Sequence, residues 1–354
     1  MLYDVAIIGG ALSGSRTAEL LAKQGHKVLL IEEHANVGDP CKCTGLVSWR
    51  TPEMLPNLPK DIIVNFVDKA DFYSPDGSFF TLNSKKQVYV LDRPGLDRFL
   101  FDSAVAAGAH ARTSERFERF WYNNGAVSIK TNRSTYDAKI LIGADGGTSQ
   151  VAKQANLEMP KTLFSGLQTT AEGDFENVEL WFGNKLCPKF FGWIVPENKH
   201  VARIGIAAEK NPNFYYQNFL KQRVKSTTHP NVAGIIRVGL MEDTVSDRIL
   251  LVGDAACQIK PISGGGITYG LIGAQFAADA CDKALDRNEF SYKFFKENYD
   301  ERWKGKLAAG IKKSFFYRWL LFNMSDFQMN VAFKMVKRFG TGFLEKMDFD
   351  LLLS

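Results

Sequence analysis

The sequence predicts an α/β (α+β) fold with a Rossmann-like parallel-sheet domain, an antiparallel-sheet domain and a C-terminal helical segment. Residues 5–31 and 249–280 each show the order strand, glycine turn and helix, which predicts the first domain. Residues 156–244 alternate apolar and polar side chains, as in VARIGIAAE, and this period predicts a sheet. From about residue 291 onward the chain is rich in Lys, Arg and aromatic residues and reads as helical.

The composition is that of an ordinary globular protein. The chain has 354 residues, of which 45% are hydrophobic and 23% charged, so it can bury a large core. The net charge of +5 suits a negatively charged partner, such as a phosphate-bearing cofactor or an anionic membrane surface. The basic residues are dispersed and no nucleic-acid-binding motif occurs, which argues against nucleic acid as a partner.

Cysteine content and the N-terminus bear on the cellular compartment. Five cysteines are an odd number and too few for a disulfide framework. The chain begins MLYDVAIIGG and shows no secretory signal. No apolar stretch reaches the ~20 residues that a spanning helix needs. We therefore expect a cytoplasmic protein, with peripheral contact to the inner face of a membrane left open.

The first glycine turn has the pattern of a dinucleotide-binding unit. Val5–Ile8 and Val28–Ile31 are apolar runs typical of buried parallel strands. Gly9 permits the tight turn, and the helix after it offers N-terminal N–H groups to a pyrophosphate. Glu32 follows the second strand, where an acid that binds a ribose is expected. An ordinary glycine turn is the alternative. The expected cofactor contacts are Gly9, Gly10, Ala11, Ser13, Gly14 and Glu32, with Ala11 in place of the usual middle glycine.

Three further segments extend this pattern. Ile249–Val252 forms a strand that ends in Gly253 and Asp254, and an aspartate at that end of a parallel strand lies where such sheets bind ligands. The glycines at 264–266 open a helix whose N-terminus suits an anionic or carbonyl group, although a plain glycine-rich connection is the alternative. The segments LIGADGG and DRPGLDRFL, the second with Arg93 before a helix, lie between the two glycine turns.

In this order, GGALSG, RPGLDRFL, GADG and GDAA with its later GGGI resemble the FAD-dependent oxidoreductases related to para-hydroxybenzoate hydroxylase. The resemblance implies a tightly held FAD. It implies that Arg93 and Asp254 reach the pyrophosphate and ribityl region, and that Gly266 and Ile267 lie beside the isoalloxazine ring. The other cofactor contacts that it implies are Glu33, Cys43, Thr44, Phe117, Gly253, Pro261 and Gly265.

Two motifs narrow the resemblance to the geranylgeranyl reductases. PCKCTGLVS at 40–48 is similar to their cysteine-bearing loop near the flavin. PKFFGWIVP at 188–196 is similar to their PxxYxWxFP motif, with Phe191 for the tyrosine and Val195 for the phenylalanine. Aromatic residues at alternating strand positions share a face, which would give a prenyl chain a flat apolar wall. The implied substrate contacts are Gly45, Phe191 and Trp193.

Cys43 has more than one interpretation. By resemblance it is the candidate catalytic residue, which would donate a proton to the substrate. A bound water is the alternative donor, and Cys43 would then be a small apolar residue packed under the flavin. The CxC spacing lacks a second cysteine or histidine pair, which argues against zinc. A Cys41–Cys43 disulfide would be strained. We therefore expect no metal site.

The resemblance implies an FAD-dependent reductase that saturates C=C double bonds of geranylgeranyl chains, on archaeal-type membrane lipid precursors such as digeranylgeranylglycerophospholipid. No second dinucleotide fingerprint occurs, so the expected electron donor is ferredoxin or another soluble reductant. Three alternatives remain open. They are a menaquinone or prenyl side-chain reductase, an aromatic flavin monooxygenase, and a non-catalytic flavin- and lipid-binding electron-transfer protein.

The motifs also predict the domain organisation. The FAD-binding domain is expected to be discontinuous, at 1–70, 90–155 and 245–290, with the substrate-binding sheet at 156–244 and a helical region at 291–354. The basic, aromatic C-terminal segment has two interpretations. It would lie at a membrane interface or form a helical cap over the substrate cavity.

Overall fold

The computed structural model describes residues 1–41, 43–224, 226–227, 232–342 and 344. Within them the strands are β1 (Leu2–Ile8), β2 (Val28–Ile31), β3 (Leu46–Ser48), β4 (Ile63–Tyr73), β5 (Phe79–Leu91), β6 (His110–Arg112), β7 (Phe117–Asn123), β8 (Ala126–Thr131), β9 (Thr135–Gly143), β10 (Leu163–Glu172), β11 (Val178–Trp181), β12 (Gly192–Pro196), β13 (Val201–Ala208), β14 (Ser226–Thr227), β15 (Val232–Arg237), β16 (Val245–Ser246) and β17 (Ile249–Leu251). The helices are α1 (Leu12–Lys23), α2 (Arg50–Met54), α3 (Arg93–Ala106), α4 (Gln150–Gln154), α5 (Pro212–Arg223), α6 (Ile267–Arg287), α7 (Tyr292–Phe295), α8 (Glu301–Phe322) and α9 (Asp326–Phe339).

The first sheet carries the predicted Rossmann-like unit. Its strand order is β16–β17–β9–β1–β2–β6, and β8 joins β9 to β7 at one side. The strands β17, β9, β1, β2 and β6 are parallel to one another, whereas β16 and β8 pair antiparallel with β17 and β9. The central strands β1, β2 and β17 are near-continuous apolar runs because both faces of the sheet are buried there. The carboxyl ends of β1, β2, β9 and β17 therefore meet at one edge, where such sheets bind ligands.

The second sheet has the order β14–β10–β13–β12–β11–β4–β5–β3, with β15 paired to β10. Neighbouring strands are antiparallel except for β11 and β4, which are parallel. The hairpin of β4 and β5 and the short strand β3 belong to this sheet. The predicted first segment of the FAD-binding domain, 1–70, therefore ends inside β4. The alternation of apolar and polar residues sets the register between the two strands of a hairpin, but it does not determine which sheet the hairpin joins.

Each face of the second sheet has its own set of neighbours. Directly paired residues point to the same face, and one row of them is Gln168, Gly205, Trp193, Leu180 and Phe72. We call this side the site face. On the opposite side, the α5 face, the ring of Phe219 from α5 packs beside Gly192 and Trp181.

The C-terminal helices bridge the cores of the two sheets. Trp303, Leu307 and Ile311 of α8 pack into the core of the first sheet, whereas Phe322 reaches the core of the second. Phe333 of α9 packs against Phe80, with ring centroids 5.3 Å apart, and so covers part of the site face. In the described part of the chain, no helix combines the length and the apolar character needed to cross a membrane.

Candidate cofactor and substrate site

The turn between β1 and α1 packs closely against the turn after β9. Gly9 has a φ of +107°, and a Cβ there would lie 2.3 Å from the carbonyl oxygen of Ala144. A Cβ at Gly14 would lie 1.9 Å from the carbonyl oxygen of Gly9. Ala11 is the N-cap of α1, and no side chain of the described residues caps this helix. The first N–H groups of α1 are therefore available to a bound anion.

The carboxylate of Glu32 lies beside this turn. Its Oε2 accepts a hydrogen bond from the backbone N–H of Gly10 at 2.7 Å. Its Oε1 accepts one from the backbone N–H of His34 at 2.9 Å and lies 2.6 Å from Nδ1 of the His34 ring. A carboxylate has about four acceptor positions, so these contacts orient Glu32 and leave acceptor capacity for ribose hydroxyls.

Two of the predicted cofactor contacts lie further from this turn. The side chain of Glu33 is exposed, with Oε1 4.0 Å from Nε2 of His34. The side chain of Phe117 is buried in the core of the first sheet. The chain reaches Glu32 through Glu115, whose N–H donates to the Glu32 carbonyl at 2.9 Å. Cofactor contact at these two residues stays a prediction.

The second glycine motif packs directly on the first. A Cβ at Gly253 would lie 2.5 Å from Oγ of Ser13, and one at Gly270 would lie 2.4 Å from the same atom. A Cβ at Gly266 would lie 2.9 Å from Oδ1 of Asp254. The helix α6 begins directly after Gly266, and no described side chain caps it. The fold therefore brings two helix N-termini to the same region, both lacking a side-chain cap.

Asp254 and Arg93 face each other across this region. Asp254 is accessible to solvent, but the surrounding protein removes much of the hydration of its carboxyl group. This desolvation raises the pKa of Asp254, and the nearby Arg93 guanidinium opposes the shift. Arg93 is held by Asp97, whose carboxylate oxygens accept from Nη2 at 3.0 and 3.1 Å.

Arg93 also has a buried donor without a partner. Among the described residues, nothing accepts a hydrogen bond from its Nε. A buried N–H without a partner costs about 1–3 kcal/mol, so a bound acceptor at this position would be favourable. A pyrophosphate or ribityl oxygen is such an acceptor. The residues present at the site therefore fit the cofactor contact that the sequence predicts for Arg93.

The cysteine loop lies next to Arg93. Cys43 is half-buried against the apolar cluster that includes Ile267, and its Sγ accepts a weak hydrogen bond from the Gly45 N–H at 3.4 Å. Burial raises the pKa of the Cys41 thiol. All five cysteines are free thiols. Within the described residues, no group of three or more His, Cys, Asp or Glu side chains could hold a metal ion.

Arg203 on β13 holds the backbone of this loop. Its Nη1 donates to the carbonyl oxygens of Thr44 at 2.6 Å and Leu91 at 2.8 Å, and its Nε donates to Glu197 at 2.6 Å. Gly45 has a φ of +75°, and a Cβ there would lie 2.7 Å from Nη1 of Arg203. The glycine is thus required by the close approach of the guanidinium. Its predicted role as a substrate contact remains a prediction.

Gln168 joins the loop to the aromatic wall. Its Oε1 accepts from Oγ1 of Thr44 at 2.8 Å and from the indole N–H of Trp193 at 3.1 Å. Gln168 is 9% exposed, so both bonds form in low-polarity surroundings. One buried acceptor therefore fixes the predicted flavin-side loop and the predicted substrate wall relative to each other.

The wall itself is built from stacked aromatic rings. Phe191 stacks on Phe190 with ring centroids 4.7 Å apart, and it meets Trp193 edge-on at 6.2 Å. Opposite Trp193 on β13 is Gly205, where a Cβ would lie 2.5 Å from the indole ring. The indole can lie flat across the neighbouring strand only because this residue is glycine. Substrate contact at Phe191 and Trp193 stays a prediction.

Helix α8 supports the loop between Asp254 and α6. Oγ of Ser314 accepts from the Ile262 N–H at 2.9 Å, and Nη1 of Arg318 donates to the Pro261 carbonyl at 3.1 Å. The Arg318 guanidinium lies 4.3 Å from the ring centroid of Phe164, and burial lowers the pKa of Arg318 to about 10. At Gly265, a Cβ would lie 2.9 Å from Cε of Lys260. These contacts position the predicted flavin-edge loop.

The residues that sequence reasoning missed share one signal. Gln168 lies in the strand LFSGLQTTAE and Arg203 in VARIGIAA, and each is a buried polar side chain within a strand of the second sheet. Because buried polar groups must be hydrogen-bonded, such residues indicate a partner elsewhere in the fold. Their partners, Thr44, Trp193 and Leu91, are distant in sequence and could not be named from it.

Comparisons with known proteins agree with this site. A family described as FAD binding domain matches residues 2–275. The chain is 31% identical to the digeranylgeranylglycerophospholipid reductase of Methanocaldococcus jannaschii, over 93% of this chain and 89% of the relative. It is 29% identical to digeranylgeranylglycerophospholipid reductase 2 of Methanothermobacter thermautotrophicus, over 94% and 91%. A geranylgeranyl bacteriochlorophyll reductase-like protein from Thermoplasma acidophilum superposes with a TM-score of 0.90 at 25% identity, covering 99% of this chain and 94% of its own.

The fold and the site thus define an FAD-dependent oxidoreductase. The two glycine turns, Glu32 and the unpartnered Nε of Arg93 are suited to hold FAD. More narrowly, the chain belongs to the digeranylgeranylglycerophospholipid reductase family. This confirms the fold class, the cofactor and the family that the sequence motifs predict.

Proposed function

We propose that this protein is an FAD-dependent reductase that saturates C=C double bonds of geranylgeranyl chains, with a lipid of the digeranylgeranylglycerophospholipid type as substrate. The observation that carries the proposal is the bond pair at Gln168, which joins the cysteine loop to a wall of aromatic rings. The relatives named for this activity, which match nearly the whole chain, support it.

Each part of the site has a role in this reaction. When bound and reduced, FAD would supply the hydride equivalent for one alkene carbon. The open N-termini of α1 and α6, with Glu32 and Arg93, bind and orient the cofactor. Phe191 and Trp193 hold the prenyl chain by apolar burial, worth about 25 cal/mol per Å² of area removed from water. The wall also excludes water from the reacting carbons.

The second alkene carbon needs a proton. Cys43 is the proposed donor, since its thiol lies in the loop beside Arg93 and against the cluster that contains Ile267. The proton is then replaced from solvent before the next double bond is reduced.

We propose a soluble one-electron or two-electron carrier, such as ferredoxin, as the reductant, because the chain has no second dinucleotide fingerprint. We also place the protein in the cytoplasm at the inner face of the membrane, where a lipid substrate would be available.

The activity is tested under anaerobic conditions. The purified flavoprotein is reduced with dithionite and given detergent-solubilised digeranylgeranylglycerophospholipid, and the lipid is followed by mass spectrometry. Stepwise gains of two hydrogens are expected. An unchanged lipid alongside a reduced flavin would overturn the lipid assignment. A menaquinone, and then an aromatic substrate with oxygen, would be tested in the same way.

The proton donor is tested by two neighbouring cysteines. Cys43→Ala should lower turnover by about 10²–10⁴-fold, the usual contribution of a general acid, while FAD content stays normal. Cys41→Ala is the matched control, since Cys41 is also half-buried but lies two positions away. Full turnover of Cys43→Ala would assign the proton to a bound water instead.

A further inference from the structure

Eight large apolar side chains are exposed on α8 and α9, which follow one another along the chain. We call this the α8–α9 surface, formed by Phe315, Phe316, Trp319, Leu320, Phe327, Val331, Met335 and Phe339. Trp319 is 61% exposed, Phe327 75% and Phe339 76%. The four residues of α9 recur at every fourth position, which places them along one side of the helix. Large contiguous exposed apolar patches are rare on soluble proteins and mark binding surfaces.

The opposite side of α9 is anchored. Met329 and Phe333 are buried in the core of the second sheet. The helix begins with a capping box, in which the side chains of Ser325 and Gln328 each bond the backbone of the other. The helix α9 is therefore held in place by its buried side. Its other apolar side, the exposed stripe, does not pack into the core.

The charges around this surface indicate what it binds. Lys312, Lys313, Lys337 and Arg338 are exposed beside it, and between residues 312 and 340 Asp326 is the only acidic residue in the sequence. Aromatic and basic side chains together are typical of helices that lie in the interface of an anionic bilayer. A two-fold contact between copies would bring these cations together, which is unfavourable.

The α8–α9 surface also adjoins the candidate site. On the inner side of α8, Ser314 and Arg318 hold the loop at Pro261 and Ile262, and Arg318 also donates to the Lys189 carbonyl beside the aromatic wall. A helix is about 10 Å across. The exposed residues of α8 therefore lie one helix width from both the predicted flavin-edge loop and the wall.

We infer that the α8–α9 surface docks on the face of an anionic lipid bilayer, with its aromatic side chains in the interface and its basic side chains on the lipid headgroups. The inference rests on the proposed function only for the reason why the protein would bind a bilayer, namely that its substrate is a lipid. A prenyl chain could then pass from the bilayer to the site face without crossing water.

The test is co-sedimentation of the full chain with vesicles. Wild type should bind vesicles that contain phosphatidylglycerol and should bind pure phosphatidylcholine vesicles much less. Phe316→Ser combined with Trp319→Ser should weaken binding at least tenfold. Replacing Lys312, Lys313 and Lys337 by Gln should weaken binding to the anionic vesicles by about fivefold per residue. Added salt should weaken wild-type binding.

The matched control is α5, which covers the opposite face of the second sheet. Phe214 is 61% exposed, as Trp319 is, and Lys210 and Lys221 are exposed near it. Phe214→Ser and the two Lys→Gln changes should leave binding unchanged. Thermal unfolding and FAD content check that each variant is folded.

Three results would overturn the inference. They are wild-type binding by the surface variants, equal loss in the α5 variants, or a dimer in solution that the surface variants convert to monomer. The last would make the surface a self-association interface. Reduction of detergent-solubilised lipid by wild type tests the proposed function separately, so that either idea can fail without the other.

Discussion

The two faces of the second sheet each carry a tryptophan with aromatic neighbours, but the contacts of the two residues differ in reach. On the α5 face, Trp181 stacks on Tyr73 at 3.8 Å with the Arg223 guanidinium 3.9 Å from its ring. Its N–H donates to Glu179, two residues away, at 2.7 Å. On the site face, the Trp193 N–H donates to Gln168, whose oxygen also holds Thr44.

This difference separates packing from function better than residue type does. These contacts of Trp181 are with residues of the same sheet and of α5. They stabilise the fold, and they do not position the cysteine loop. Trp193 shares its acceptor, Gln168, with Thr44, which lies 124 positions away in the sequence. Thr44 belongs to the loop that carries Cys43. Aromatic residues on the α5 face should therefore affect stability alone, and those on the site face should affect turnover.

The division between the two faces is tested most directly by replacing one glycine on each face with alanine. Gly205→Ala places a Cβ 2.5 Å from the Trp193 indole and 2.5 Å from the Leu167 carbonyl oxygen, so the ring must move. Displacement of a positioned group by about 1 Å costs about 10²-fold in rate. We expect this loss in the lipid-reduction rate per FAD-loaded molecule.

Gly192→Ala is the paired control. Its Cβ would lie 3.0 Å from Cζ of Phe219 on the α5 face, which is tight but does not involve the site. We expect a destabilisation of about 1–3 kcal/mol from overpacking, seen in urea unfolding, with the turnover of the folded protein retained. Equal rate losses in the two variants would contradict the division between the faces.

A smaller effect is expected at the shared acceptor. Gln168→Leu leaves the Thr44 hydroxyl and the Trp193 N–H without their common partner, and each unpaired buried donor costs about 1–3 kcal/mol. Because the loop and wall lose their mutual alignment, kcat should fall about tenfold or more while KM for the lipid changes little. Gln168→Glu retains an acceptor oxygen and should recover part of kcat.

The control for Gln168 is the next residue of the same strand. Thr169 points to the α5 face, where its hydroxyl bonds Tyr216, and Thr169→Val should lower stability without lowering kcat. A Gln168→Leu variant with normal kcat would show that the loop and the wall are aligned by packing alone.

The sequence was informative where local chemistry determines the structure. Gly9, Glu32 and the strand Val28–Ile31 lie where the dinucleotide-binding pattern predicts, because turn, strand and helix N-terminus are set by neighbouring residues. The family resemblance supplied the cofactor and the family, and the comparisons confirm both.

The sequence was uninformative where partners are distant along the chain. The bond between Gln168 and Thr44, the hold of Arg203 on Leu91 and the place of β4 in the second sheet depend on tertiary pairing. Alternation assigns Gln168 a face but not what meets it there.

The smallest expected effect is the contribution of Tyr216, on the α5 face, to the pH dependence of the unfolding free energy. Burial of Tyr216 on the α5 face raises its pKa to about 12, although the Thr169 hydroxyl bond opposes this. In the unfolded chain a tyrosine loses its proton near pH ~10, so between about 10 and 12 the unfolded state binds fewer protons than the folded state. The free energy of unfolding must then fall as pH rises through this window, and below it Tyr216 contributes no pH dependence.

Tyr216→Phe should therefore flatten the alkaline loss of stability, measured by urea unfolding between about pH 8 and pH 11. At neutral pH it should cost about 1 kcal/mol for the lost hydrogen bond. Tyr215→Phe is the neighbouring control, because Tyr215 is only half-buried, and it should keep the wild-type slope. If Tyr216→Phe also keeps that slope, ionisation of other buried tyrosines such as Tyr299 governs alkaline unfolding.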